Sequence, residues 1–322
     1  MESNTLVPVT PQPPAIADLA AQAQKFIGQA KAENTRRAYA ADWQDFTGWC
    51  ERHCYQSLPA TPQIMVLYLT DLVTTGRKVS TLERRIAAIS QAHQYAGQET
   101  PTQTAVVREL MKGIRREKGS RQHTVDAILI EDLRILIEHL PATLKGIRDR
   151  ALLLIGFAGA LRRSELVALD VEDIEVCREG LRVTMRRSKT DQEGEGRIIG
   201  IPYGARLATC PVRAYQEWQA ASGISTGAIF RGIDKGGHLA SDRLTDRSVA
   251  KIIQHLAHAA GLDTKSFSGH SLRAGHATTA ARAGASERTI MRTTGHRSEK
   301  MVRRYIREGT LFQDSSAASL GL

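Results

Sequence analysis

The chain has 322 residues, enough for two domains, and its formal net charge is +10 because 44 Lys and Arg outnumber 34 Asp and Glu. Arginine supplies 33 of the 44 basic residues. One guanidinium group can bind two phosphate oxygens at once, and it stays ionised in any site, so this bias towards arginine favours a polyanionic partner. The alternative is a basic protein without such a partner. The apolar fraction of 42% excludes wholesale disorder, and the longest apolar run, residues 151–161, is too short to cross a bilayer.

The N-terminus and the cysteines bear on compartment and metal content. Residues 1–14 lack a basic stretch followed by an apolar one, so they do not predict a secretion signal. Four cysteines in a chain of this length do not form a disulfide framework. Cys50 and Cys54 lie one helical turn apart with His53 between them, but no second ligand pair follows, so free thiols are favoured over a zinc site. We therefore expect a cytoplasmic protein with no metal, no cofactor and no membrane contact.

The first third of the chain predicts an all-α domain. Residues 1–14 are polar and proline-rich and predict a flexible arm, whereas residues 15–118 predict four or five helices and no strand. One of these helices begins near Asn34, because apolar side chains recur at i, i+4, i+7 and i+11 along one helical face. These side chains are Tyr39, Trp43, Phe46 and Cys50.

Local signals predict where the following helices begin. Thr61 before Pro62 is typical of an N-cap followed by proline at the first helical position. Ser80 with Glu83 three residues later predicts a capping box at the start of the next helix. A last helix is predicted over residues 104–116.

A basic stretch connects this domain to the rest of the chain. Its five cationic residues are Lys112, Arg115, Arg116, Lys118 and Arg121. The run KGSRQHT at 118–124 is typical of an exposed linker. We predict that these cations contact the polyanionic partner, the alternative being a charge run that is simply solvated.

Residues 119–308 predict a mixed α+β domain. Helices are predicted at 129–140, 144–159, 211–221, 246–260, 270–283, 286–294 and 298–307. Short strands are predicted at 173–177, 181–186 and 197–201, the last two joined by a glycine-containing hairpin loop. The tail, 309–322, has no evident partner helix in its own chain. The predicted fold class is therefore mainly α with a small antiparallel β-sheet.

Two basic residues stand in unusual places. Arg162 directly follows eleven apolar residues, which is an odd position unless its charge has a buried or bound partner. The alternative is an arginine that reaches solvent from a helix end. Ser164 is predicted to cap the turn that follows. Lys189 lies near the tip of the predicted hairpin, where a flexible ammonium can reach into a site or simply remain solvated.

The C-terminal helices carry further candidates. His270 and Arg273 are three residues apart on a predicted helix and face the same side, so both could meet one phosphate, although a packed or capping histidine is the plainer interpretation. His296 lies nine residues before Tyr305. Three arginines flank Tyr305, and their positive field favours phenolate character. The alternative is an ordinary residue of an amphipathic helix.

Taken in chain order, these motifs resemble the tyrosine recombinase (phage integrase) family. The sequence reads A-L-R-x-S-E-L, then S-K-T, S-G-H-S-x-R, G-H and Y-I-R, which is the order of that family's motifs. The helical half resembles the family's core-binding domain, so the resemblance covers about residues 16–310. Within the family the sequence is most similar to the Cre recombinase type, through Trp49-Cys50, residues 268–271 and residues 281–284.

The resemblance implies a set of functional residues. The catalytic residues would be Arg162, Lys189, His270, Arg273, His296 and Tyr305. Tyr305 would be the nucleophile, forming a 3′-phosphotyrosyl bond to DNA, and His270 would take its proton. Lys189 would protonate the departing 5′ oxygen.

The remaining implied roles concern the scissile phosphate. Arg162 and Arg273 would clamp its non-bridging oxygens, and His270 and His296 would add hydrogen bonds. Glu165 would support the site by orienting a neighbouring His or Arg. The resemblance implies neither ATP nor a metal ion, because the covalent intermediate stores the energy of the phosphodiester bond.

The resemblance also implies how the protein engages DNA. The two domains would enclose double-stranded DNA carrying an inverted-repeat site, and a homotetramer on two sites would exchange strands through a Holliday junction. The basic residues of 112–121 would contact the DNA, and the tail, 309–322, is a candidate for contact with a neighbouring protomer. The alternatives are a type IB topoisomerase or telomere resolvase and a catalytically silent DNA-binding regulator.

Overall fold

The structure, a computed structural model, describes residues 16–29, 31, 33–119, 126–186, 196–264, 267–296, 298–312 and 315–320. The predicted arm at 1–14, Arg121 and Lys189 lie outside the described residues. The chain separates into two compact units, Met1–Gln122 and His123–Leu322. The described helices and strands confirm the predicted fold class, which is mainly α with small antiparallel sheets.

The described part of the first unit is helical. Its helices are α1 (Ile16–Gln29), α2 (Glu33–Arg52), α3 (Pro62–Thr74), α4 (Val79–Tyr95) and α5 (Ala105–Lys118), with a short 3-10 turn at Pro101–Gln103 before α5. The face predicted for α2 is confirmed, since Phe46 and Cys50 are fully buried in the core of this unit. α5 continues to Lys118, slightly beyond the predicted end at 116, so Lys118 lies on the helix rather than in the linker predicted at 118–124.

The two predicted helix starts in this unit have opposite outcomes. The Thr61 hydroxyl accepts a hydrogen bond from the Ile64 N–H, and Pro62 is the first residue of α3, as predicted. The capping box at Ser80 is wrong. α4 begins earlier, because Lys78 has extended backbone and its carbonyl accepts the first helical hydrogen bond from Leu82, which places Ser80 inside the first turn.

The second unit combines helices with two antiparallel sheets. Its helices are α6 (Ile130–Glu138), α7 (Leu144–Ala158), α8 (Arg163–Ala168), α9 (Pro211–Ser222), α10 (Asp246–Ala259), α11 (Ser271–Arg282), α12 (Glu287–Thr294) and α13 (Glu299–Thr310). A three-stranded sheet has the order β1 (Ile174–Cys177), β2 (Gly180–Met185), β3 (Arg197–Pro202). A separate hairpin pairs β4 (Arg231–Ile233) with β5 (Leu239–Arg243). Sequence analysis missed this hairpin because the β5 residues are largely exposed and do not alternate.

α7 forms the centre of this unit. Residues 151–155 are at most 3% exposed, so this part of the helix is apolar and buried on every side. It ends at Ala158, and Ala160 then adopts a left-handed backbone conformation with φ 49°. That turn directs the chain into α8 and brings Arg162 to the edge of the core.

Glycine at position 275 is required by close packing between α11 and the segment before α6. A Cβ atom at Gly275 would lie 1.7 Å from the carbonyl oxygen of Ile128, which is backbone and cannot move aside easily. We expect Gly275→Ala to lower the free energy of unfolding by about 3 kcal/mol or more. Equilibrium urea unfolding measures the change.

A matched control is available in α5. A Cβ atom at Gly113 would meet no atom within 4 Å. We expect Gly113→Ala to leave stability unchanged or to raise it by up to about 1 kcal/mol, since alanine favours helix over glycine. Equal stability of Gly275→Ala and the wild type would contradict the close approach to Ile128.

Candidate active site

Arg162 and Glu165 form a half of the site at the start of α8. The Glu165 carboxylate, 3% exposed, accepts hydrogen bonds from the backbone N–H of Arg162 at 3.0 Å and from the Arg162 guanidinium. Glu165 therefore satisfies the N-terminus of α8 while it orients the arginine. The predicted cap at Ser164 is wrong, because Ser164 lies inside α8 and the carboxylate of Glu165 does the capping.

Arg273 is fully buried in α11. Its Nη1 donates to the carbonyl of Ala160 at 2.8 Å, so the left-handed turn after α7 fixes the guanidinium. Its Nε and Nη2 have no hydrogen-bond partner among the described residues. Burial, followed by the charge of Arg162, lowers the pKa of Arg273 to about 10, so the side chain is still a cation at neutral pH. A buried cation with unpaired N–H groups is suited to binding an anion.

Tyr305 lies on α13 and is only 3% exposed. Its hydroxyl is 3.1 Å from Nε2 of His270, which precedes α11. The expectation of phenolate character is wrong: burial raises the pKa of Tyr305, and this effect outweighs the lowering by Arg273 and Arg304. Arg304 is also paired with Glu308, so part of its positive charge is balanced locally.

His296 also lies near the ring of Tyr305. Its ring centroid is 6.0 Å from that of Tyr305. The Thr294 hydroxyl donates to the carbonyl of Ile290 at 2.8 Å, so it accepts from Nδ1–H of His296, also at 2.8 Å. Burial, followed by the charges of Arg273 and Arg162, lowers the pKa of His296 to about 3. His296 is therefore neutral at physiological pH, with its proton on Nδ1.

The burial of His296 predicts a loss of stability in acid. As pH falls, an unfolded chain binds the proton near the ordinary pKa of 6.5, whereas the folded protein binds it only near 3. The stability that depends on neutral His296 is therefore complete above pH 6.5 and is lost progressively between 6.5 and 3. We expect the melting temperature of the wild type to fall more than that of His296→Gln between about pH 7.5 and about pH 5. If the melting temperatures of the two proteins fell in parallel with pH, His296 would not be the origin of the acid instability.

Arg197 is a site residue that sequence analysis missed. Its side chain, 19% exposed, lies at the start of β3, with Nη1 donating to the carbonyl of Thr293 at 2.9 Å and Nη2 3.5 Å from Glu165. The alternation of side chains along β3 could have identified it. Ile199 and Ile201 face the core, and Arg197 has the same parity, which places an arginine on the buried face of the sheet.

The other predicted site residues lie elsewhere. Lys189 lies outside the described residues, so its position relative to Tyr305 stays a prediction. The four described basic residues of α5, Lys112, Arg115, Arg116 and Lys118, are exposed. Three of them are paired with acids: Lys112 with Glu109, Arg115 with Glu83 and Lys118 with Glu117. Their contact with DNA stays a prediction, as does that of Arg121.

Cys50 and Cys54 differ in exposure. Cys50 is buried, which raises the pKa of its thiol to about 11, whereas Cys54 is exposed. In the described part of the chain, no group of three or more His, Cys, Asp or Glu is arranged to hold a metal ion. None of the described helices combines the length and apolarity needed to span a bilayer.

Comparisons of sequence and of fold with known proteins give matches of one kind. The phage integrase family profile matches residues 127–310. The chain is 43% identical over 302 residues to the integrase/recombinase xerD homolog of Selenomonas ruminantium, covering 92% of this chain and 88% of that protein. It is 26% identical over 299 residues to the cre recombinase of Escherichia phage P1, covering 87% and 85%. In fold it is similar to the Tn1549 transposon integrase in complex with transposon right end DNA, with a TM-score of 0.61, 13% identity and coverage of 94% and 98%.

Proposed function

Because this chain belongs to the phage integrase family and is a tyrosine-type site-specific recombinase, we propose that Tyr305 cuts DNA by attacking the scissile phosphate. The observation that carries this proposal is the 3.1 Å separation between the Tyr305 hydroxyl and Nε2 of His270. The buried guanidinium of Arg273, with N–H groups unpaired among the described residues, lies in the same site. A nucleophile, a base within reach and donors for the developing charge are the parts that phosphoryl transfer needs.

The raised pKa of Tyr305 makes the base necessary. The phenol keeps its proton at neutral pH, since burial raises its pKa above the ordinary value of 10. His270 Nε2 takes that proton as the phenolic oxygen forms its bond to phosphorus. The bond from phosphorus to the 5′ oxygen breaks, and Lys189 donates a proton to that oxygen. The products are a 3′-phosphotyrosyl bond and a free 5′ hydroxyl.

Two fixed guanidinium groups stabilise the transferring phosphoryl group. Arg273 is held by the carbonyl of Ala160 and offers its Nε and Nη2, while Arg162 is held by Glu165. Because charge builds up on the equatorial oxygens in the transition state, cations held in place before the reaction lower its barrier. His296 adds a hydrogen bond once contact with the phosphate favours its protonated form.

Rejoining is the same reaction in reverse. A 5′ hydroxyl gives its proton to Lys189 and attacks the phosphorus of the phosphotyrosyl bond, and Tyr305 leaves with a proton returned by His270. If the hydroxyl belongs to the other duplex, the strands are exchanged and a Holliday junction forms. The bond energy is kept in the covalent intermediate, so this scheme uses neither ATP nor a metal ion.

We further propose that the substrate is double-stranded DNA with an inverted-repeat site, bound in the cytoplasm by a homotetramer on two sites. The exposed cations of α5, Lys112, Arg115, Arg116 and Lys118, support binding to phosphates, and the sequence adds Arg121 shortly after them. After α13, Leu311 and Phe312 are 63% and 84% exposed, which suits contact of the tail with a neighbouring protomer.

Removal of the tail tests the assembly. A chain ending at residue 308 is expected to cut a single site at the wild-type rate but to lose cooperative binding to paired sites. Native gel electrophoresis of paired-site DNA measures that cooperativity. Unchanged assembly of the shortened chain would exclude a role for the tail.

Cleavage of a nicked suicide duplex tests the main proposal. The nick lets the short fragment with the new 5′ hydroxyl diffuse away after cleavage, so the strand cannot be rejoined. The covalent complex therefore accumulates, and it resists SDS. We expect an adduct on a duplex that carries the inverted-repeat site and none on a scrambled duplex. A catalytically silent regulator would bind the site and give no adduct. Relaxation of a supercoiled plasmid that lacks the site would instead indicate a type IB topoisomerase.

A further inference from the structure

We propose that Arg197 is a positioning residue, which holds the turn carrying His296 and the carboxylate that orients Arg162. This role rests on the function proposed above. Arg197 belongs to none of the sequence motifs that indicated the site. Its guanidinium nevertheless connects three elements of the second unit, namely β3, the last turn of α12 and the first turn of α8.

The first contact is with the turn that carries His296. Arg197 Nη1 donates at 2.9 Å to the carbonyl of Thr293, in the last turn of α12, where carbonyls lack partners within the helix. Gly295 ends this helix in a left-handed conformation with φ 64°. A Cβ atom at Gly295 would lie 2.2 Å from Arg197 Nη1, so the guanidinium lies directly against the backbone of the residue before His296.

The second contact is with Glu165. Arg197 Nη2 is 3.5 Å from one oxygen of this carboxylate, and the Arg162 guanidinium binds the other oxygen. Glu165 therefore lies between two cations, one on each oxygen. Loss of Arg197 would leave the carboxylate held by Arg162 alone, through its backbone N–H and its guanidinium, and Arg162 would be less firmly fixed.

Packing alone does not account for an arginine at this position. Arg197 lies opposite Met185 on the buried face of the sheet, in line with Ile199 and Ile201. Its Nε and Nη2 make no hydrogen bond with any described residue. A buried guanidinium that is only partly paired costs stability relative to an apolar side chain of similar size. The contacts with Thr293 and Glu165, which fix the geometry of the site, therefore explain the arginine at this position.

Two variants disrupt the contact between the Arg197 guanidinium and the end of α12, one at each partner. Arg197→Met deletes the guanidinium, and Gly295→Ala displaces it by introducing a Cβ atom. Gly223→Ala is the matched control, since Gly223 also ends a helix with φ 65° but a Cβ atom there meets nothing within 4 Å. We expect the first two variants to slow single-turnover cleavage of the suicide duplex about 10- to 100-fold, with DNA affinity within about threefold of the wild type. Gly223→Ala should cut at the wild-type rate.

The double variant Arg197→Met/Gly295→Ala is expected to be no slower than Arg197→Met, because both changes remove one contact. Arg197→Lys should remain slow, since a single ammonium cannot contact Thr293 and Glu165 in the geometry of the planar fork. A wild-type cleavage rate for Arg197→Lys or Arg197→Met would overturn the proposal. A double variant whose cleavage is slowed by the product of the two single effects would also overturn the proposal.

Two measurements on the free protein separate this inference from the proposed reaction. Burial and the charges of Arg273 and Arg162 cause most of the lowering of the His296 pKa, and the charge of Arg197 adds a smaller part, so Arg197→Met should raise that pKa slightly in an NMR titration of the histidine ring. The melting temperature should stay within about 3 °C of the wild type, because no net stabilisation is lost. Absence of an adduct in the wild type would refute the function of Tyr305, whereas an unchanged His296 titration would refute the placement of Arg197.

Discussion

Replacement of Tyr305 by phenylalanine is expected to abolish the covalent complex with DNA, lowering cleavage by roughly 10⁴-fold or more. The change removes only the hydroxyl that lies 3.1 Å from His270. The ring, 3% exposed, belongs to a buried apolar cluster that includes Ala277, Ile290 and Val302, and phenylalanine preserves the packing of this cluster. The fold and the affinity for DNA should therefore be unchanged. SDS gel electrophoresis of the suicide-duplex reaction and a binding titration measure the two effects.

Tyr215 provides a matched control for this experiment. It is buried in α9, and its hydroxyl has no hydrogen-bond partner within the described residues. Tyr215→Phe therefore removes the same atom from a buried tyrosine outside the site, and we expect full adduct formation. An adduct with Tyr305→Phe would show that another residue is the nucleophile.

Replacement of Arg162 by alanine has the second largest expected effect. Cleavage should slow by roughly 10²- to 10³-fold, because the guanidinium stabilises charge that develops only in the transition state. Binding should weaken far less, since one phosphate contact among many is lost. The buried carboxylate of Glu165 keeps Arg197 as a nearby cation, so the fold should persist. Single-turnover rates and binding titrations of the same duplex provide the comparison.

Arg163 is the matched control for Arg162. It is the neighbouring residue in sequence, but its side chain is about half exposed and pairs with Asp246. Its stem also lies against Gly269, beside His270, so Arg163→Ala should cost at most a several-fold loss of rate. If Arg163→Ala were the slower of the two variants, Arg163 rather than Arg162 would bind the scissile phosphate.

Periodicity and motif order were sufficient to predict most of the helices and the three-stranded sheet, but not α8 as a helix. The apolar run of α7 marks a buried helix, and the residue that follows it, Arg162, is where the chain leaves the core. His270 and Tyr305 were selected by motif, and the structure brings their side chains into contact. Local patterns of this kind reflect short-range physics, which the sequence expresses directly.

Features that depend on burial could not be predicted in this way. The sign of the shift in the pKa of Tyr305 was wrong, because the flanking arginines are visible in the sequence and the desolvation of the ring is not. The role of Arg197 depends on its contact with Thr293, 96 residues later in the chain. The starts of α4 and α8 also differ from the prediction, because backbone conformation at Lys78 and the carboxylate of Glu165 outweigh the nearby serines.

Identification of the residue bound to DNA tests the central claim most directly. The adduct formed on the suicide duplex can be digested with protease and nuclease, and the peptide that carries the nucleotide can be sequenced by mass spectrometry. We expect a single modified peptide, with the added mass on Tyr305 through a phosphodiester to the 3′ end of the cut strand. A nucleotide on any other residue, or a linkage to the 5′ end, would contradict the mechanism.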